Sequence, residues 1–213
     1  MKNPRVLLAD DHLMMAEGLK SLLTPHFDLV GIVEDGRLLV EAARRLRPHV
    51  IVSDITMPHF NGIEAFLQIK KENPRVKMVF LTMHHDVAYA RRAIEAGALG
   101  FVLKHSASSE LVVAIRSALE GKTYVTPAMA GELFQSMQSG ATEAKDPVDV
   151  LTPRQRQILQ SIAEGRSAKE IASELGISTR TVEFHKYQMM ESLSIDNSAE
   201  LIRFAIKHGL VSI

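Results

Sequence analysis

From residue 5 to about residue 120 the chain alternates short apolar, β-branched runs with amphipathic stretches of helix length, and this alternation constrains its fold more than any other feature. It is the pattern of βαβ units, which build a parallel sheet covered by helices. Strands are predicted near 5–9, 29–34, 50–53, 77–82 and 100–103, and helices near 13–24, 36–46, 63–72, 87–96 and 108–120. Pro25 stops the first helix, Pro48 and Pro74 follow the second and third, and Gly97 sits just past the fourth.

Four of the strands end on polar chemistry. Val6-Leu7-Leu8-Ala9 runs into Asp10-Asp11, Val50-Ile51-Val52-Ser53 into Asp54, Met78-Val79-Phe80-Leu81 into Thr82, and Phe101-Val102-Leu103 into Lys104. The ligand crevice of an open parallel sheet lies outside the carboxyl ends of its strands, so these side chains should converge from distant positions. Three carboxylates in one crevice repel, and a hard divalent cation relieves the repulsion. Mg²⁺ suits an oxygen-only donor set and keeps room for phosphate oxygens. Lys104 would supply a positive charge for anionic oxygens and Thr82 a hydroxyl donor. Met57-Pro58 and Asn61-Gly62 make a loop after Asp54 that leaves it at the crevice mouth, so Asp54 is the predicted nucleophile toward a phosphoryl group.

Bulk composition limits the alternatives. The 213 residues suffice for one large or two small domains, and 46% hydrophobic with 23% charged residues is ordinary for a chain that folds in water. Zero cysteines exclude thiol catalysis, thiolate metal sites and disulfides. No apolar run is long enough to span a bilayer and the start lacks a signal-peptide core, so a cytoplasmic protein without membrane association is expected. With 25 Lys/Arg against 25 Asp/Glu, binding to a polyanion must come from a local patch.

The texture changes after Gly121. Thr126-Pro127 reads as an N-cap with proline at the first helical position, and Met129, Leu133 and Met137 form one apolar stripe on a linker helix. Residues 139–147 show no hydrophobic periodicity and read as a connector. Domains are accordingly expected at 1–122 and 148–213, with a linker over 123–147. The last segment is helical throughout, near 153–164, 168–175, 179–193 and 198–208. Thr152-Pro153-Arg154-Gln155 and Ser167-Ala168-Lys169-Glu170 are capping boxes, Gly165 and Gly176 are stops, and Leu175-Gly176-Ile177-Ser178 is the turn of a helix-turn-helix.

Leu7-Leu8-Ala9-Asp10-Asp11-His12, Asp54-Ile55-Thr56-Met57-Pro58 with Asn61-Gly62, Leu81-Thr82-Met83, and Gly97 through Lys104 resemble the receiver domain of a two-component response regulator. That resemblance implies a five-stranded doubly wound parallel sheet in flavodoxin-like order. It also implies Asp54 as phosphoacceptor, and Asp11, Asp54 and the Thr56 carbonyl as Mg²⁺ ligands with Asp10 acting through metal-bound water. Thr82 and Lys104 would contact the phosphoryl group, and Thr82 and Phe101 would form a switch pair in which Phe101 turns inward.

Residues 148–213 are similar to the LuxR-type module through Leu151-Thr152-Pro153-Arg154, Glu164-Gly165, Lys169-Glu170-Ile171-Ala172, Leu175-Gly176-Ile177-Ser178, Thr181-Val182 with His185, Ala199-Glu200-Leu201, and His208-Gly209-Leu210. The whole chain thus resembles the NarL/FixJ family. Val182, Met189 and Leu193 should hold the third helix of this module on its core, leaving Arg180, Glu183, Phe184, Lys186 and Tyr187 for a major groove. Lys169, Thr179 and Thr181 complete the expected DNA-binding set.

Leu201, Ile202 and Ala205 are assigned to a dimer contact, since two tethered weak contacts bind paired half-sites far better than one. Eight Lys/Arg and eight Asp/Glu from Pro147 onward make the module neutral, so one copy should bind weakly. Gln155 and Ser194 stand where relatives often have glutamate and glycine. Implied partners are a sensor histidine kinase, DNA with paired half-sites, a second copy of the chain and, as a further candidate, RNA polymerase.

Two other readings compete: a phosphohydrolase with an aspartyl-phosphate intermediate, and a regulator acting by protein sequestration. Against the first, Thr56 occupies the position two after Asp54 where a second acid would stand. Gly121-Lys122-Thr123 lacks the earlier glycine of a phosphate-binding loop, and His84-His85-Asp86 reads as a solvated loop. Arg44-Arg45 with Arg47 reads as an exposed helix face.

Overall fold

The β-branched and aliphatic runs become strands β1 (Arg5–Ala9), β2 (Asp28–Val33), β3 (Val50–Asp54), β4 (Lys77–Thr82) and β5 (Gly100–Leu103) in the computed structural model, which describes residues 3–83, 87–138 and 147–211. Helices α1 (Leu13–Leu23), α2 (Gly36–Leu46), α3 (Gly62–Glu72), α4 (Val87–Glu95) and α5 (Ala107–Leu119) connect them. A sixth strand, β6 (Tyr124–Val125), was not expected; two residues are too short to show a period, and only pairing with β5 reveals them.

All neighbouring strands are parallel, in the order β2-β1-β3-β4-β5-β6. Chain order reverses between β1 and β3, so their helices leave on opposite faces and a crevice opens at their carboxyl ends. Register fixes what faces it: Ala9 pairs with Ser53, which sets Asp10 and Asp54 side by side. Alternation along the buried strands feeds two cores. Leu7, Ile51, Met78, Phe80 and Phe101 pack on one face, and Val6, Leu8, Val52, Leu81 and Val102 on the other.

The chain divides into two compact units, Met1–Ala141 and Thr142–Ile213. Helix α6 (Pro127–Gln138), read from sequence as a linker, belongs to the first unit. Its Met129 and Leu133 are buried in the same cluster as Phe101 and the α4 residues Tyr89, Ala90 and Ala93. The Met137 side chain, the connector over 139–146 and the His84-His85-Asp86 loop lie outside the described residues.

The second unit is α7 (Pro153–Ala163), α8 (Ala168–Leu175), α9 (Thr179–Leu193) and α10 (Ser198–Lys207) around Ile158, Leu159, Ile171, Val182, Met189, Leu201 and Ala205. Both capping boxes form, Thr152 with Gln155 and Ser167 with Glu170. Ser178 and Asn197 cap α9 and α10. Each such cap stabilises by about 1 kcal/mol, which matters to helices as short as these. Gly176 closes α8 in the left-handed region at φ 63°, and Ser194 ends α9 there at φ 54°, a conformation costlier for serine than for the glycine common at such ends. No helix among the described residues is long and apolar enough to cross a membrane.

Candidate functional site

Four side chains from four strand ends face the crevice. Asp10, Asp54 and Lys104 are 2%, 5% and 5% exposed, so three charged groups are buried together. Lys104 Nζ lies 2.6 Å from Asp54 Oδ2 and 2.8 Å from Asp10 Oδ2, bridging the two carboxylates. Thr82, 1% exposed, ends β4 directly across from Leu103, the residue before Lys104.

The loop after Asp54 is held by local bonds. Thr56 N–H donates to Asp54 Oδ1 at 3.2 Å, and Asn61 caps α3 by accepting from the Ile63 and Glu64 N–H groups. Gly62 is required by close approach: a Cβ there would sit 2.2 Å from the Asp54 carbonyl oxygen.

Electrostatics show what this geometry lacks. Burial pushes the Asp54 carboxyl above its ordinary pKa, with Lys104 opposing. Burial also opposes the charge on Lys104, yet attraction to Asp54 and bonds to Asp10 and Asp54 hold its pKa above the ordinary value. The 2.6 Å contact and the second carboxylate at 2.8 Å favour a charged lysine with carboxylate charge still incompletely balanced.

One cation does not neutralise three acids, and a second has donors ready. Oxygen and nitrogen atoms of Asp10, Asp11, His12 and Asp54 lie within 4.8 Å of one another, the span of a single coordination shell. In the sequence His12 reads only as a neighbour of the acids. Its Nδ1 lies 2.9 Å from Asp11 Oδ1, and its backbone N–H donates to Asp10 Oδ1 at 2.9 Å.

Phe101 is already fully buried, in the same apolar cluster as Met129 and Leu133 of α6. The ring of the expected Thr82–Phe101 switch pair is thus already packed inward in the arrangement described. What the sequence did not reveal is a second tie between β5 and α6. Leu103 N–H donates to Thr126 Oγ1 at 3.1 Å, Thr126 N–H donates to the Phe101 carbonyl at 3.0 Å, and the Thr126 hydroxyl donates to Glu110 at 2.7 Å. Thr126 was legible only as an N-cap.

In the second unit, Val182 and Met189 anchor α9 at 1% and 0% exposure, so its other faces look outward. Thr179, Arg180, Glu183, Phe184 and Tyr187 are exposed, Thr181 and Lys186 half-buried, and Lys169 of α8 exposed. Phe184 at 56% and Tyr187 at 67% are large apolar rings left in water on a polar helix. His185 is half-buried beside Phe184, and its Nδ1 has no hydrogen-bond partner.

The dimer assignment needs correction. Leu201 and Ala205 are at zero exposure inside the unit's own core, and only Ile202 of that trio reaches the surface. Residues four apart lie on one helix face, and on α10 that face is the one the core consumes.

Two family models match the sequence. The response regulator receiver domain matches residues 6–116, and the luxR family of bacterial regulatory proteins matches residues 149–205. Transcriptional regulatory protein MctR of Rhizobium johnstonii is 38% identical over 98% of this chain and 95% of its own length. Response regulator GacA of Pseudomonas protegens is 33% identical over 97% of each chain. Among solved structures, RcsB of Salmonella enterica serovar Typhimurium, bound to promoter P1flhDC with phosphomimetic BeF3⁻, matches with TM-score 0.66 and 26% identity over 97% of this chain and 100% of that one. A structure of two RcsB dimers on two parallel DNAs matches with TM-score 0.60 and 27% identity, over 95% and 98%.

Proposed function

The chain belongs to the NarL/FixJ family of two-component response regulators, DNA-binding transcriptional regulators with a receiver and a LuxR-type module, and on that premise we propose that Asp54 is its phosphoacceptor. The observation that supports this most is the Lys104 ammonium bridging two buried carboxylates, with the Thr82 hydroxyl on the neighbouring strand. A carboxylate oxygen of Asp54 forms a P–O bond as the P–N bond of a sensor kinase phosphohistidine breaks, and the departing imidazole nitrogen takes the electron pair and a proton. Mg²⁺, which receiver domains bind, would be held by Asp10, Asp11, Asp54 and the Thr56 carbonyl and would neutralise charge on the transferred group.

Once esterified, Asp54 offers phosphoryl oxygens in place of a carboxylate, and Lys104 and Thr82 rearrange to meet them. The Leu103–Thr126 and Phe101–Thr126 bonds couple that rearrangement to the first turn of α6. Such coupling shifts an existing equilibrium between arrangements. Lys169, Thr179, Arg180, Thr181, Glu183, Phe184, Lys186 and Tyr187 then contact DNA, with two copies on paired half-sites in the cytoplasm. Because α10 consumes Leu201 and Ala205 in its core, the contact between copies falls to other surface, Ile202 included.

Selection of bound fragments from random DNA, with the native chain carrying BeF3⁻ or lacking it, tests the whole reading. Enrichment of a paired motif that strengthens with BeF3⁻ is expected, and recovery of unselected sequence in both arms would refute it. Steady multiple turnover of a phosphate ester would instead favour the phosphohydrolase.

A further inference from the structure

The roomiest cavity among those described is remote from the acidic crevice. It is an open depression of about 470 Å³ at the opposite, amino-terminal end of the strands. β3 separates the two by five residues, or about 16 Å of strand. Arg47, His49, Arg75 and Lys77 line it, together with Asn73, and no carboxylate does.

Two of these donors, His49 and Lys77, are tied to the backbone around them. Arg47 ends α2 in the left-handed region at φ 48°, a conformation costly for a side chain with a Cβ, and Pro48 follows it. The neighbouring acid, Glu72, is already claimed: Arg44 Nε and Nη2 grip its two oxygens at 2.8 and 2.5 Å, so it answers Arg47 only at longer range. Arg44, Arg45 and Arg47 are all exposed, as the charge run led us to read, and within it the side chains differ in partner. Arg44 neutralises the acid and Arg47 turns to the cavity.

His49 Nδ1 accepts from Arg5 N–H at 2.9 Å, which leaves its proton on Nε2 as a donor. Lys77 Nζ donates to the Leu119 carbonyl, which fixes the ammonium at the cavity wall and leaves it further N–H groups. Pro4, Pro48 and Leu119 make the remaining wall apolar. Two exposed guanidiniums, a tied ammonium and a directed N–H donor beside an apolar wall, in a space large enough for a small molecule, match a ligand with clustered negative charge at one end and a flat apolar ring at the other.

We propose that this cavity binds a nucleoside polyphosphate, its phosphates on Arg47, Arg75 and Lys77 and its base against Pro48 and Leu119. The site shares no residue with the acidic crevice, so both can be filled at once, and β1 and β3 run from one to the other. The assignment does not depend on Asp54.

Calorimetric titration of the full chain, with divalent cations removed so that the acidic crevice cannot recruit a metal-bound nucleotide, tests it. ATP, GTP and inorganic tripolyphosphate are compared against the native chain, Arg75→Gln, Arg47→Ala/Arg75→Gln and Asp54→Asn. Saturable binding of one nucleoside triphosphate per chain is expected, tighter than tripolyphosphate, weakened about tenfold or more by Arg75→Gln and further by the double change, and kept by Asp54→Asn. Both arginines lie near the surface, so an unchanged urea midpoint should accompany the loss. No saturable binding, equal affinity in the double variant, loss in Asp54→Asn, or tripolyphosphate binding as tightly as either nucleotide would each overturn the proposal.

Discussion

The two units place their working groups in opposite environments. The first buries them: Asp10, Asp54 and Lys104 are within 5% exposure, where every charge depends on its partners. The second exposes them, with Phe184 and Tyr187 more than half in water and only the α9 anchors Val182 and Met189 in the core. A site that changes covalently needs low dielectric and fixed neighbours, so it sits inside the fold. A site that grips a long polyanion must protrude, so it sits outside and leaves the core alone. Substitutions at the buried acidic crevice should therefore move stability and function together, while those on the outward faces of α9 should move function only.

The largest separation comes from Asp54→Asn, for which we expect total loss of hydroxylamine-labile phosphate incorporation from a small phosphodonor. Labelling that persists at another residue would remove Asp54 from its role. Next is Lys104→Ala, which strands two buried carboxylates. Urea unfolding should show a loss of about 3–5 kcal/mol, partly recovered by Mg²⁺. An unchanged midpoint would mean that the lysine is not their counter-charge.

Alanine at Lys186 or Arg180 should leave that midpoint alone while weakening DNA binding across sequences. Removing one phosphate-neutralising cation makes the plot of log affinity against log salt shallower by about 0.9, and an unaltered slope would exclude that residue from the groove-facing set. Smaller still is Ser194→Gly, which relieves a left-handed serine and should stabilise the second unit by about 1 kcal/mol in thermal unfolding.

A pH series sharpens the comparison further. Burial raises the Asp54 pKa in the folded, divalent-free chain, so its proton is bound more tightly folded than unfolded. Its contribution is present below the unfolded value of about 3.9 and fades as pH rises through the higher folded value. The native chain should thus lose stability relative to Asp54→Asn across that rise, and parallel curves would contradict the shift. No matching difference is expected from Glu183→Gln on exposed α9.

Much of the fold was legible because periodicity is local. The starts and stops of the receiver helices, both capping boxes and the polar strand ends lie within a few residues of sequence. The convergence of Asp10, Asp54, Thr82 and Lys104 was legible too, once a parallel sheet is granted, since all occupy one end of their strands. β6 escaped because two residues carry no period. Leu201 and Ala205 were misassigned because an apolar stripe looks the same whether it meets its own core or a second copy.

By itself, then, the order of residues determined which segments become strand or helix and which chemistry each strand delivers at its end. Those outcomes follow from hydrogen bonding and patterning over a few turns. Tertiary structure alone decided which apolar stripe was consumed. It brought Met129 and Leu133 of α6 into the cluster of Phe101, drew Leu201 and Ala205 inward, tied Leu103 to Thr126, and gathered Arg47, Arg75 and Lys77 around one cavity. Each is a contact between surfaces far apart in the chain, chosen by which pairing buries the most apolar area and leaves the fewest polar groups unpaired, a property of the assembled fold that no short window of sequence contains.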